Sequence, residues 1–132
     1  MVNDDTIKYW LSLANEELGY SDKNDITFNY IKSIQNVAEI IVKDEWYLVM
    51  LPFCDMWGNK CLSIISCYVK KECRKNWVNF LKIQRAINLF AKKNKIKYIY
   101  HGSHFNNDNF LNFLKKNGYE YVVMRKELIN GS

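Results

Sequence analysis

The chain has 132 residues, 48% of them hydrophobic and 15% aromatic, with five glycines, one proline and a net charge of +5. That length suits one domain, residues 1–132, and that apolar content excludes a disordered or low-complexity chain. No uncharged apolar run is long enough to cross a bilayer, and the opening Met1-Val2-Asn3-Asp4-Asp5 is not expected to act as a secretory signal.

Asp4 and Asp5 are placed to cap a first helix that carries Ile7, Leu11, Ala14 and Leu18 at helical spacing, with Gly19 as its stop. Ser21 to Asp25 is polar and reads as a loop. Ile26 to Gln35 fits two periods. Ile26, Phe28 and Tyr30 alternate as in a strand, while Ile26, Tyr30 and Ile34 repeat as in a helix, and a helix capped by Asp25 is favoured. Val37 to Val42 is a first β-rich run, Asp44-Glu45 a turn, and Trp46 to Cys54 a second strand. Pro52 predicts an edge or a bulge near the end of that strand. Asp55 to Lys60, containing Gly58, is the next turn, and Cys61 to Val69 the third strand. These connections are too short for crossovers, so the three strands form an antiparallel meander.

From Arg74 the apolar period becomes helical. Trp77, Leu81, Ile87 and Phe90 form one stripe, widened by Val78, Phe80 and Ile83, and Lys75, Asn79, Lys82 and Arg85 take the other face. Lys92 to Lys95 places positive charge at the C-terminus of this helix. Ile96 to Tyr100 is a short buried strand, parallel to the third because a long helix joins them. Asn106 to Asn109 opens a last helix, Gly118 ends it, and Tyr119 to Leu128 is the final strand.

This order, two helices and then β-β-β-α-β-α-β from Val37 onward, resembles the GNAT (Gcn5-related N-acetyltransferase) fold: α/β, a mixed sheet whose antiparallel meander is followed by β-α-β-α-β. The family's opening strand is missing or very short here. The resemblance implies that the third and fourth strands splay near Tyr68 and His101 into a V-shaped cleft. It also implies that the loop after Val69 holds the pyrophosphate of acetyl-CoA on backbone N–H groups and a helix N-terminus. The family loop reads Q/R-x-x-G-x-G/A. Here Arg74 stands at the leading position, and Lys75, Trp77 and Asn79 are the departures, Trp77 and Asn79 at the two glycine positions. The last-helix motif, N-x-x-A-x-x-x-Y-x-x-x-G-F, is met by Asn107, Gly118 and Tyr119, but Leu114 occupies the position of the tyrosine acid. The spacing N-x-x-x-x-x-F-L-K-x-x-G from Asn107 to Gly118 is also similar to short GNAT-like proteins of tailed bacteriophages, some associated with internal virion protein assembly.

The resemblance therefore implies cofactor contacts at Val69, Arg74, Lys75 and Asn107. With Leu114 unable to donate a proton, Tyr68, His101 and Tyr119 are the candidate acids and bases. Glu39 is the nearest substitute for the family's strand glutamate. His101 and His104 form an H-x-x-H pair without a Cys or carboxylate at ligand spacing, so no metal is expected. Cys54, Cys61, Cys67 and Cys73 lack C-x-x-C spacing and read as reduced, mostly buried thiols of a cytoplasmic protein. A turn centred between residues 57 and 58 would set Cys54 opposite Cys61. Trp10, Trp46 and Trp77 fall on apolar stripes, whereas Trp57, in a turn, is a candidate contact residue.

The departures at Lys75, Trp77, Asn79 and Leu114 favour a protein that acts by binding another protein, of phage or host, with no cofactor expected. The alternative is an acetyl-CoA-dependent N-acetyltransferase with an altered acid. A third reading is weak, nonspecific nucleic-acid binding through the basic loop of Lys70, Lys71, Arg74 and Lys75. No membrane role is expected.

Overall fold

The computed structural model describes residues 2–101, 108–120 and 128. It divides into two compact units, Met1–Gly102 and Ser103–Ser132.

Helix α1 spans Asp4–Leu18. Its cap is Asn3 rather than Asp4 or Asp5: Asn3 is extended, and its Oδ1 accepts from the Thr6 N–H at 2.9 Å. The two aspartates lie in the first turn, where their charge meets the positive end of the helix dipole. Ile7, Trp10, Leu11 and Ala14 are buried. Gly19 at φ 79° ends the helix as expected, with its own N–H on the Glu16 carbonyl and the Tyr20 N–H on the Asn15 carbonyl. Residues Ser21–Lys23 form a 3-10 turn instead of an open loop, and α2 runs Asn24–Ile34. The helical period of 26–35 therefore holds, and Asp25 sits inside the first turn rather than at the cap. Asn15 is buried and ties the two helices together, donating to Asn24 Oδ1 at 2.8 Å and Thr27 Oγ1 at 3.0 Å.

Four strands follow in sheet order β1-β2-β3-β4: Glu39–Val42, Trp46–Cys54, Lys60–Val69 and Tyr98–His101. The first two pairings are antiparallel and the third is parallel, as the connection lengths require. Strand β1 reaches only as far as Met50, so β2 is a sheet edge on that side at Pro52, where no N–H is needed. The ladder bulge lies at Val49 and Met50 of β2, facing Ser66 and Ile64, so Ile65 of β3 is the extra residue. Cys54 pairs with Lys60, and Cys61 with Phe53. The hairpin is centred on residue 57, one half-step from the expected centre, and Cys54 and Cys61 are not opposite. All four cysteines are free thiols; Cys61 is buried, Cys67 and Cys73 are partly buried, and Cys54 is exposed.

Residues Trp46 to Met50 are all buried because both faces of β2 are covered. Tyr47, Val49 and Tyr68 pack with Ile7, Trp10, Leu11 and Ile31 of α1 and α2. Leu48, Met50, Leu62, Ile64 and Val69 pack with Ile83 and Ile87 of α3, Val78–Lys93. The buried stripe of α3 is Asn79, Ile83, Gln84, Ile87 and Ala91. Val78 and Leu81, expected inside, are 49% and 47% exposed, and Asn79, expected outside, is buried. The cause is the approach to the helix. Two 3-10 turns, Lys71–Cys73 and Lys75–Trp77, precede it, and the Asn79 amide is drawn inward by polar partners.

In the second unit α4 spans Asp108–Lys116. Gly118 at φ 91° closes it, with its N–H on the Lys115 carbonyl and the Tyr119 N–H on the Leu114 carbonyl. The expected final strand falls mainly on 121–127, outside the described residues. Among the described residues no helix is long and apolar enough to cross a membrane.

Candidate functional site

The bulge at Ile65 lies next to the last described β3–β4 pair. Their described pairing ends at Ile64 with His101, and β3 continues to Val69 without a β4 partner among the described residues. His101 Nε2 lies 4.0 Å from Cys67 Sγ, a thiol that burial pushes up to about 12. His104 and Asn107 lie outside the described residues. No group of three His, Cys, Asp or Glu suited to a metal occurs among those described.

Beyond Val69 the chain makes a side-chain-braced loop. The Lys70 N–H donates to the Glu45 carbonyl at 3.0 Å, and the Cys73 N–H to the Lys70 carbonyl at 2.9 Å. Asn76 and Trp77 both adopt φ 60°, the left-handed region. Asn tolerates it; for Trp it costs about 1–2 kcal/mol, since Cβ crowds the following carbonyl. Trp77 stands at a position where the resemblance implies glycine, so the glycine's backbone shape is kept while the glycine is not. The Trp77 ring packs on Phe80 at 4.9 Å and is partly buried.

Arg74 does not point to solvent. Its Nη1 and Nη2 donate to the two Glu17 carboxylate oxygens at 2.8 and 2.7 Å, and its Nε donates to the Val69 carbonyl at 2.9 Å. Tyr68 places its ring 5.2 Å from the guanidinium and donates its hydroxyl to Glu17 at 2.9 Å. Arg74 holds the Glu17 carboxyl below the usual range against the opposing effect of burial. Burial, with Glu17 adding, pushes the Tyr68 phenol up to about 12. Three of the expected site residues, Tyr68, Val69 and Arg74, are thus brought together around Glu17. Sequence reasoning missed Glu17, although it lies one helical step beyond Ala14 on the buried stripe of α1. Lys75 is exposed, as is Glu39 on β1. Tyr119 belongs to the other unit.

Asn79 completes the brace, its Nδ2 donating to Glu45 Oε2 at 2.7 Å and the Cys73 carbonyl at 2.8 Å. Beside the loop, a cavity of about 190 Å³ is lined by Tyr9, Leu13, Glu17, Tyr68, Lys70 and Glu72, among others. The Lys70 ammonium sits over Tyr9 at 5.5 Å and Trp10 at 5.3 Å. With Arg74 paired and Lys70 half-buried, the expected basic cluster is reduced to Lys71 and Lys75 as its solvent-facing cations.

Solved structures match the fold over nearly the whole chain. A GNAT family acetyltransferase of Staphylococcus aureus superposes at TM-score 0.65 with 18% identity, over 97% of this chain and 95% of that one. The chain has the GNAT fold. A mutant of the BH1408 protein of Bacillus halodurans matches at 0.73 and 16% identity, covering 97% and 96%. A Clostridium acetobutylicum protein described as a predicted acetyltransferase, solved with acetyl-CoA, matches at 0.70 and 15%, covering 97% and 92%. At these identities the likeness establishes the fold alone. No protein-family model matches the sequence, and no curated relative does.

The GNAT fold implies an acetyl-CoA site at the β3–α3 loop, and the residues there do not fit a pyrophosphate. The guanidinium that would meet it is already bridged by a carboxylate. A second carboxylate, Glu45, is bound to Asn79 in the first turn of α3, where the anion should come. Side chains at Trp77 and Asn79 stand at the two glycine positions of the motif that would let backbone donors approach.

Proposed function

We propose that this protein works by binding another protein, with no efficient acetyl transfer. The observation that carries the reading is the two-pronged Glu17–Arg74 pair, joined by the Tyr68 hydroxyl. It satisfies internally the groups that the GNAT frame would offer to a cofactor. It also removes Tyr68 as an acid, since a phenol near 12 that is bonded to a carboxylate is poorly matched to a leaving thiolate at neutral pH. Leu114 supplies no proton either. The spacing from Asn107 to Gly118 supports placing the chain with the phage-type GNAT-like proteins, whose association with virion assembly suggests a phage or host protein as partner.

One observation favours the transferase alternative. The left-handed backbone at Asn76 and Trp77 and the bulge at Ile65 keep the frame in which acetyl-CoA would lie. Turnover separates the two readings. With acetyl-CoA and a panel of polyamines and lysine peptides, thiol release is expected to stay at the uncatalysed rate. Release above that rate, abolished by Tyr68→Phe, overturns the binding reading.

A further inference from the structure

Away from the β3–α3 loop, the β2–β3 hairpin presents large apolar side chains to solvent. Met56 is 85% exposed and Trp57 78%, whereas Trp10 and Trp46 are buried. This exposure is built in. The Asp55 carboxylate accepts from the Trp57 N–H at 2.9 Å, the Asn59 N–H at 2.9 Å and Asn59 Nδ2 at 3.0 Å. Backbone bonds from Gly58 to Asp55 and from Asp55 to Asn59 close the loop, with Gly58 at φ 80°. Hairpin loops favour small polar residues; here two large apolar side chains are exposed on a hydrogen-bonded tip. The apolar surface continues onto the sheet. Phe53 pairs with Cys61, and Cys61 with Tyr98, so the two rings share a face, and both are exposed.

The ground around this tip is basic. The Lys97 N–H donates to the Lys60 carbonyl at 2.8 Å, and its ammonium reaches Asn59 Oδ1 at 3.4 Å while lying 5.3 Å from the Tyr98 ring. Helix α3 ends at Lys93 and joins β4 through 94–97, so Lys92, Lys93 and Lys95 share this end of the fold. Exposed Lys82 and Arg85 continue the stripe up α3. From Asp55 to Asn107 the carboxylates are Asp55, within the tip itself, and Glu72, against eleven Lys and Arg, and Glu72 follows the opposite end of β3.

We infer that the hairpin tip and the lysine-rich end of α3 form a binding surface for a single-stranded polynucleotide. Bases stack on Trp57 and Tyr98, and phosphates run past Lys60 and Lys97 at the end of the sheet to Lys95 in the α3–β4 connection. Lysine is depleted in protein–protein interfaces but neutralises phosphates, and the Asp55 carboxylate at the tip is taken up by the Trp57 and Asn59 amides. Exposed aromatic faces need unstacked bases, which selects a single strand over a duplex. The inference is independent of the proposed function: it uses none of the residues of the β3–α3 loop.

The test is a titration of the full chain with twelve-residue oligo(dT) and oligo(U), followed by anisotropy and by tryptophan fluorescence at two salt concentrations. Binding of either, with quenching lost in Trp57→Phe, is expected; a preference for one identifies DNA or RNA as the source. Trp57→Ala should weaken binding about tenfold or more. Lys60→Gln with Lys97→Gln should flatten the logarithmic salt slope by about 1.4. Both variants change exposed side chains, and an unchanged melting curve checks the fold. The inference is overturned by an absence of binding at low salt, by affinity indifferent to Trp57→Ala, by tighter binding to duplex, or by equal quenching with polyglutamate or phosphatidylserine vesicles.

Discussion

Replacing Glu17 by Gln removes one charge and leaves the shape. In the native chain the carboxylate accepts two charge-assisted hydrogen bonds from Arg74, at 2.8 and 2.7 Å, and one from Tyr68 at 2.9 Å. An amide keeps one acceptor oxygen and turns an NH₂ toward the other donor. Hydrogen bonds to charged groups contribute about 1.5–3 kcal/mol each. The Glu17 and Arg74 side chains are 19% and 31% exposed, so water and screening return part of that. The expected net loss is about 2 kcal/mol, read as a drop in the urea midpoint at pH 7 with the m-value unchanged. Because Arg74 lowers the folded-state pKa of Glu17, the pair's contribution is complete above the unfolded glutamate value near 4.3. It is lost as pH falls through the lower folded value. The gap between wild type and Glu17→Gln should therefore be constant from neutrality down to about pH 5 and close below about pH 4. A gap under about 0.5 kcal/mol at pH 7, the size of an ordinary surface change, would refute the reasoning. So would a gap that persists unchanged in acid.

Other consequences are equally direct. Asn76, at φ 60°, should tolerate Gly within a few tenths of a kcal/mol, whereas Ala should destabilise by about 1 kcal/mol, measured by thermal melting. Leu48, fully buried between β2 and α3, should lose about 3 kcal/mol on truncation to Ala in a urea titration. In native thiol titration Cys54 should react first and Cys67, pushed up to about 12 by burial, should lag; denatured protein under non-reducing conditions should titrate four thiols, and a count of two would contradict this. Asp55→Ala should speed hydrogen exchange at the Trp57 and Asn59 amides, and unchanged exchange would show that the carboxylate does not hold the tip.

Strand identity was legible in the sequence because Trp46 to Cys54 and Cys61 to Val69 are long β-rich runs joined by short turns, which fixes their antiparallel order. The parallel β4 followed from the intervening helix. Both helix stops were legible because Gly19 and Gly118 take a backbone conformation that few other residues adopt cheaply. The phase of α3 was not. That helix carries apolar residues around most of its circumference, so the periodicity of Trp77, Leu81 and Ile87 could not compete with the hydrogen bonds that turn Asn79 inward. The candidate site was legible by position but not by state. Tyr68, Val69 and Arg74 do converge, yet their convergence on Glu17 depends on a contact across 57 residues of sequence, which no local pattern encodes. The exposure of Trp57 was legible, since it sits beside Gly58 in a turn.

The proposed function rests on Glu17 occupying Arg74, which leaves the loop after Val69 without a free guanidinium for acetyl-CoA. Isothermal titration of acetyl-CoA into wild type and Glu17→Gln tests it most directly. Wild type should give no saturable heat in the micromolar range. The freed guanidinium in Glu17→Gln should raise affinity by about tenfold or more, the worth of a charge-assisted hydrogen bond to phosphate. Micromolar binding by wild type that Glu17→Gln leaves unchanged would contradict the claim.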